Sequence, residues 1–183
     1  MCTCIRNALV AMLCALAAPA PAQSPPTEAQ VKAAMIYNFA KYVDWPADAF
    51  AAREAAIVLC TVGRDSLGES LAAIEGRMVG RRALRLQRSV DPDETRGCNI
   101  VFVPAAEERR LLQILRAAAA DPMLTVSDIG GFAARGGMIG IMEADNRLQF
   151  EINNGAAQRA GLRISSQLLR LARQIFDSKA REP

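Results

Sequence analysis

The sequence predicts an α/β fold: a single domain with a mainly parallel central sheet, helices on both faces and a C-terminal hairpin. Two observations predict this class. Segments of strand and helix pattern alternate along residues 23–183, and two of the strand segments are apolar almost throughout, as strands buried on both faces are. Alternating elements of this kind form parallel sheets with right-handed crossovers. The composition, 51% hydrophobic and 22% charged, is typical of one folded globular domain.

The first 22 residues have the pattern of a secretory signal peptide. Arg6 supplies a positive charge, Ala8 to Ala18 form an apolar run of eleven residues, and Ala20-Pro21-Ala22 is a small-residue cleavage site. The run is shorter than the roughly 20 residues that a membrane-spanning helix needs. We therefore expect an exported, soluble protein with a mature domain of residues 23–183.

The first half of the mature chain predicts two helices and two strands. Thr27, with Gln30 three residues later, is a capping box that begins a helix. Apolar residues recur at spacings of three and four until Asp44-Trp45-Pro46, where proline should end the helix. The other segments of this half are a buried strand over residues 56–62, a helix over 65–74 and a half-exposed edge strand over 83–90.

The second half predicts a continuation of the sheet and then a hairpin. A glycine-rich loop, with Gly130-Gly131 and Gly136-Gly137 around Phe132, separates the sheet strands from the hairpin. The segments are a buried strand over 98–103, a helix over 104–119, a short strand over 124–127, hairpin strands over 138–142 and 147–152, and helices over 155–160 and 165–178.

Removal of the signal peptide leaves two cysteines, Cys60 and Cys98. An even pair in an exported protein is most simply a disulfide, and the alternative is two buried free thiols. The bond would close a loop of about 39 residues, which the chain-entropy estimate values at roughly 4 kcal/mol. Two cysteines without histidine or a CxxC motif do not form a metal site.

The sequence contains no histidine, and this absence excludes several classes of function. Ser-His-Asp and Cys-His catalysis, His-ligated zinc and haem sites, and an ordinary histidine pH switch all need that side chain. The net charge of +3 is too small to indicate nucleic-acid binding. We predict no catalytic site, because an enzyme without histidine would have to use Asp or Lys for its acid and base steps. We also predict no metal and no cofactor.

An aromatic stripe runs along the first predicted helix and just beyond it, comprising Tyr37, Phe39, Tyr42, Trp45 and Phe50. Stripes of this kind usually belong to the core, which is one interpretation. The other is a partner or dimer surface, because tyrosine and tryptophan can bury a ring and leave a polar atom outside. Tyr37, Tyr42 and Trp45 are the candidate surface residues.

Polar residues form a second candidate group near the end of the predicted sheet. Glu151 and Asn153 alternate with apolar residues, so the two polar side chains share one strand face. One interpretation is a solvated ion pair between Glu151 and Arg163, worth only ~0 to 1 kcal/mol. The other is a recognition patch for a carboxylate, a phosphate or an acidic partner, because guanidinium groups suit bidentate contacts. Its members would be Ser127, Arg135, Glu151, Asn153 and Arg163.

Five ordered segments carry a resemblance to a known family. They are VKAAMIYNFAKYVDWP (31–46), CNIVFV (98–103), LTVSD (124–128) with GGMI (136–139), FEIN (150–153) and GLRISS (161–166). Over residues 28 to 174 the chain resembles the YfiR-like periplasmic proteins. The resemblance implies a periplasmic α/β domain, often dimeric, whose namesake represses a membrane-anchored YfiN-type diguanylate cyclase and is relieved by an outer-membrane lipoprotein. The namesake's second cysteine pair has no counterpart here.

Two functional hypotheses follow from different classes. The leading one is a periplasmic regulator that binds and inhibits a membrane diguanylate cyclase, modulating cyclic-di-GMP signalling and biofilm formation, with a homodimer and an outer-membrane lipoprotein partner implied by the resemblance. The alternative is a periplasmic small-molecule-binding sensor module, whose loop at residues 127–137 closes on a ligand. A neighbouring gene for a cyclase would favour the first, and a co-purified ligand the second.

Overall fold

The structure is a computed structural model that describes residues 24–52, 54–64 and 66–177. The signal peptide predicted over residues 1–22 lies outside the described residues. Among the described helices, none is long and apolar enough to cross a membrane.

Five α-helices and ten strands lie within the described ranges. The helices are α1 (Glu28–Lys41), α2 (Glu69–Ala72), α3 (Leu111–Ala118), α4 (Asn154–Arg159) and α5 (Ser166–Leu171). The strands are β1 (Val43–Asp44), β2 (Ile57–Val62), β3 (Met78–Val79), β4 (Arg82–Val90), β5 (Ile100–Val103), β6 (Leu124–Ser127), β7 (Ile139–Ala144), β8 (Arg147–Asn153), β9 (Arg163–Ile164) and β10 (Gln174–Phe176).

Eight strands form the central sheet in the order β10-β8-β7-β6-β5-β2-β4-β3. The five inner strands β4, β2, β5, β6 and β7 run parallel to one another. β8 is antiparallel to β7, β10 is parallel to β8, and β3 is antiparallel to β4. The predicted α/β class, with a mainly parallel sheet and a C-terminal hairpin in one domain, is confirmed.

The central sheet is covered on both faces. One core contains Ile36 and Phe39 of α1 together with Leu59 of β2 and Phe102 of β5. The other core, on the opposite face, contains Ile114 of α3 and residues of the glycine-rich loop. β5 and β6 are buried along their whole length, and β2 at every position except the half-buried Val58. The polar residues of β6, Thr125 and Ser127, are therefore buried as well.

The start of α1 and the hairpin follow the local sequence signals. Thr27 Oγ1 accepts a hydrogen bond from Gln30 N at 3.3 Å, and Gln30 Oε1 accepts one from Thr27 N at 2.8 Å, so the capping box is present. The hairpin turns at Asp145 and Asn146, which have φ values of +53° and +58°. Both residue types tolerate this left-handed region, which tight two-residue hairpin turns require.

Four predicted elements differ from the structure. The helix predicted over 65–74 is reduced to the four residues of α2. The helix predicted over 104–119 is split into a 3-10 segment, Ala105–Arg110, and α3. The helix predicted over 165–178 ends at Leu171, and β10 follows it because the open edge of β8 offers backbone partners. The strand predicted as the edge, β4, is covered at Arg82 and Ala83 by β3, which forms that edge of the sheet instead.

The predicted Cys60–Cys98 disulfide is present. Cys60 lies in β2 and Cys98 just before β5, and β2 and β5 are neighbours in the sheet. Both cysteines are buried in the same core, with exposed fractions of 0% and 3%. The bond therefore ties two adjacent central strands together inside the domain.

Candidate functional site

The C-terminal end of α1 forms one wall of a groove, which we term the α1-end groove. The backbone leaves the helix at Tyr42, whose N–H donates to Phe39 O, and Pro46 then precedes a 3-10 turn. The groove has a volume of about 320 Å³. Its lining includes Lys41, Asp44, Trp45, Phe50, Val79 and Arg82.

The three candidate surface aromatics are all half-buried and pack against the core, but only one of them lines this groove. Trp45 does so, with its indole Nε1 donating to Asn99 O at 3.3 Å and its ring 6.3 Å from that of Phe50. Tyr37 lies beside the groove, where its hydroxyl donates to Met78 O in β3 at 2.8 Å. Tyr42 is not part of the lining. The structure thus places Tyr37 and Trp45 at the groove and Tyr42 outside it.

The described lining of the α1-end groove carries two cationic groups, Lys41 and Arg82, and one anionic group, Asp44. Lys41 is exposed in the last turn of α1. Arg82 donates to the carbonyl oxygens of Ala52 and Ala55 at 3.1 and 2.6 Å, and its guanidinium lies 3.5 Å from the Phe50 ring centroid. These bonds fix the loop that carries Phe50, so this wall of the groove is preorganised. A half-buried indole beside two cations suits an apolar segment with an acidic side chain.

The predicted polar patch divides into two parts. Ser127, Glu151 and Asn153 meet at the glycine-rich loop, residues 128–137, which connects β6 to β7. Arg135, within that loop, forms an exposed ion pair with Glu108 at 2.7 Å. Arg163 lies elsewhere, on β9 opposite Asp44, and so belongs to the surroundings of the α1-end groove.

Three side chains of the sheet hold the glycine-rich loop by hydrogen bonds. Ser127 Oγ is fully buried, donates to Val103 O at 2.7 Å and accepts from Ile129 N at 2.9 Å. Glu151 Oε1 accepts from Ala133 N at 3.1 Å, and Asn153 Nδ2 donates to Ala133 O at 2.8 Å. The loop is therefore fastened at its first turn and at its centre.

Glu151 does not form the ion pair with Arg163 that the sequence allowed. Its side chain is buried because the glycine-rich loop covers the strand face it occupies, and its bonded partner is Ala133 N. Gly140 in β7 leaves the space for this side chain, since a Cβ there would lie 2.9 Å from Glu151 Oε1. Glu151 and Asn153 are thus supports of the loop rather than an open recognition surface.

An ion pair between α1 and the glycine-rich loop was not predicted from the sequence. Lys32 Nζ lies 2.6 Å from Asp128 Oδ2 and 2.7 Å from Glu28 Oε1, and Asp128 Oδ1 accepts from Ala105 N at 2.7 Å. Burial acts to lower the pKa of Lys32, but the hydrogen bonds and charges of Asp128 and Glu28 outweigh it and raise that pKa. The only local signal is Glu28 four residues before Lys32, which predicts an exposed pair and not the contact with Asp128.

Neither region shows the features of a metal centre. Among the described residues, no group of three or more His, Cys, Asp or Glu side chains is placed to hold a metal ion. The arrangement comprises a preorganised groove at one end of α1 and a loop held by hydrogen bonds near the other end.

The family model of the YfiR/HmsC-like proteins matches residues 29–173, which is most of the chain. The chain belongs to the YfiR/HmsC-like family. The family is one of periplasmic proteins that are regulatory rather than catalytic. The Cys60–Cys98 disulfide fits an oxidising compartment of that kind.

The fold is also found in a solved structure. A conserved domain protein from Vibrio cholerae O1 biovar El Tor superposes with a TM-score of 0.53 at 10% sequence identity. The match covers 83% of the present chain and 61% of the Vibrio chain. The present chain therefore spans about three fifths of that protein, and the similarity concerns the fold alone.

Proposed function

We propose that this member of the YfiR/HmsC-like family binds the periplasmic domain of a membrane-anchored diguanylate cyclase and inhibits it, which lowers cyclic-di-GMP. Family membership supports the signalling system, and the α1-end groove supports the mode of binding. The groove is lined by the half-buried Trp45 together with Lys41 and Arg82. We propose that the cyclase inserts an apolar side chain beside Trp45 and places a carboxylate near Lys41.

Inhibition requires that the groove distinguish two states of the cyclase. A ligand shifts an equilibrium only by its difference in affinity for the two states. To change the ratio of inactive to active cyclase from 1:99 to 99:1, the protein must bind the inactive state about 10⁴-fold more tightly than the active state. The protein would therefore bind the periplasmic domain of the inactive cyclase much more tightly than that of the active one.

We further propose, from the family resemblance, that the protein forms a homodimer and that an outer-membrane lipoprotein relieves the inhibition by competing for it. Tyr37 and Trp45 lie at the surface that such partners would share. Light scattering of the purified mature protein measures the dimer directly, with a mass twice that of one chain expected.

The partner is tested by affinity capture of the exported protein from solubilised membranes. We expect the wild-type protein to retain a diguanylate cyclase, identified by mass spectrometry, and the variant Lys41→Glu to retain at least tenfold less of it. Arg170→Gln, an exposed change in the last turn of α5, is the matched control and should capture as the wild type does. Capture of no cyclase by the wild type would contradict the proposal.

A further inference from the structure

A second cleft opens where β6 and β7 begin, between the C-terminal turns of α3 and α4. We term it the α3–α4 cleft, and it has a volume of about 260 Å³. Its lining includes Leu115, Ala118, Thr125, Met138, Arg159 and Ala160. It shares no lining residue with the α1-end groove, so the two sites can be tested independently.

The floor of the α3–α4 cleft carries a buried hydroxyl with an unused proton. Thr125 is 2% exposed, and its Oγ1 accepts from Met138 N at 3.0 Å. Among the described residues, none accepts a hydrogen bond from this hydroxyl. A threonine hydroxyl has one donor in addition to its acceptor lone pairs, and buried donors are rarely left without an acceptor. The hydroxyl is therefore available to donate to a ligand atom in the cleft.

The rim of the α3–α4 cleft carries a guanidinium without a partner. Arg159 lies in the last turn of α4, exposed, and within the described ranges it forms no ion pair or hydrogen bond. No acidic side chain belongs to the lining of the cleft. The cleft therefore offers a cation and a hydroxyl donor together with apolar walls, with no counter-charge of its own.

We propose that the α3–α4 cleft binds a small organic carboxylate with an apolar body. The carboxylate would accept hydrogen bonds from Arg159 and Thr125, and the apolar part would contact Leu115 and Met138. A guanidinium fork matches a carboxylate in geometry and charge. By comparison with the apolar cavity of about 150 Å³ that holds benzene, the volume suits roughly ten non-hydrogen atoms. This inference goes beyond the proposed function, because it needs no cyclase.

Calorimetric titration of the purified mature protein with three probes of equal chain length tests the proposal. Hexanoate, hexanol and hexylamine share an apolar body and differ in charge. We expect hexanoate to bind at least tenfold more tightly than hexanol, and hexylamine not to bind, because Arg159 attracts only the anion. Equal affinity for hexanoate and hexanol, or no binding of hexanoate, would overturn the proposal.

Variants locate the binding of hexanoate in the α3–α4 cleft. Arg159→Gln should weaken it about tenfold and leave hexanol unchanged, whereas Arg170→Gln, on the surface of α5, should have no effect. Ala160→Leu should block both probes by filling the rim. Thr125→Ser, which keeps the hydroxyl, should bind hexanoate as the wild type does, whereas Thr125→Val should bind it more weakly. Unchanged hexanoate affinity in Arg159→Gln would overturn the assignment even if Thr125→Val failed to fold.

Discussion

The two halves of the central sheet hold their connecting segments by different chemistry. In the half formed by β4, β2 and β5, the buried disulfide between Cys60 and Cys98 is a covalent link between β2 and the segment that precedes β5. In the half formed by β6, β7 and β8, hydrogen bonds from Ser127, Glu151 and Asn153 hold the glycine-rich loop. A cross-link acts mainly by restricting the unfolded chain, whereas hydrogen bonds satisfy polar groups buried in the folded one. The two halves should therefore respond to different perturbations.

Loss of the disulfide should give the largest effect on stability. The residues it joins are separated by 38 positions, and a loop of that size contributes about 4 kcal/mol in the chain-entropy estimate. We expect Cys60→Ala/Cys98→Ala to lose about that amount of unfolding free energy in a denaturant titration. The non-reduced wild type should be about two mass units lighter than the reduced protein. A loss of unfolding free energy below about 1 kcal/mol would show that the disulfide contributes no more to stability than a single hydrogen bond.

Removal of the Glu151 side chain should give the next largest effect. Glu151→Ala leaves Ala133 N buried without an acceptor, at a cost of about 1–3 kcal/mol. Glu151→Gln retains an acceptor oxygen and should cost less than Glu151→Ala. Glu143→Ala, an exposed change on the same hairpin, should stay within about 0.5 kcal/mol. Hydrogen exchange should show faster exchange across residues 128–137 in Glu151→Ala, and unchanged protection there would contradict the role of this loop support.

The same two regions show which features can be predicted from the sequence. The capping box at Thr27 and the runs that form β2 and β5 are local signals, and both were predicted correctly. Strand alternation correctly placed Glu151 and Asn153 on one face. It gave no information about what covers that face, because the glycine-rich loop reaches it only through the tertiary fold.

The missed elements share one physical cause. β1, β3, β9 and β10 contain two or three residues each, too few to show a period, and each exists only because backbone groups of another strand pair with it. The contact between Lys32 and Asp128, which are 96 residues apart, likewise cannot be predicted from the local sequence pattern. The predicted patch failed to assemble around Arg163 for the same reason, since β9 pairs with β1 and not with β8.

The Lys32–Asp128 pair should give a smaller and pH-dependent effect. Both side chains are 13% exposed, so we expect Lys32→Met to cost about 1–2 kcal/mol near neutral pH, more than an exposed pair contributes. Because the folded protein raises the pKa of Lys32, the contribution is fully present below the unfolded-state value of about 10.4 and is lost as pH rises through the folded-state pKa.

The expected pH dependence is checked by measuring the unfolding free energies of the wild type and Lys32→Met from pH 7 to 11. The difference should be constant up to about pH 10 and then shrink. Lys41→Met, at an exposed position on the same helix, is the control and should lose no more than about 1 kcal/mol near neutral pH. A difference that grows with pH would contradict the raised pKa.

Charge reversal in the α1-end groove should give the smallest change in stability. Lys41 is exposed in the last turn of α1, where its charge interacts favourably with the helix dipole by about 0.3–1 kcal/mol. We expect Lys41→Glu to lose no more than about 1 kcal/mol in a denaturant titration and to keep the disulfide. A loss above about 2 kcal/mol would show that this position is structural and unsuitable as a probe of partner binding.

The cellular level of cyclic-di-GMP tests the central claim most directly. It should be measured in a strain lacking the gene and in the same strain supplied with the wild type, Lys41→Glu or Arg170→Gln at equal periplasmic amounts. We predict a raised level and more biofilm in the deletion strain, restoration by the wild type and Arg170→Gln, and a level that stays raised with Lys41→Glu. An unchanged level in the deletion strain would contradict inhibition of a cyclase, and full restoration by Lys41→Glu would contradict the α1-end groove as its binding site.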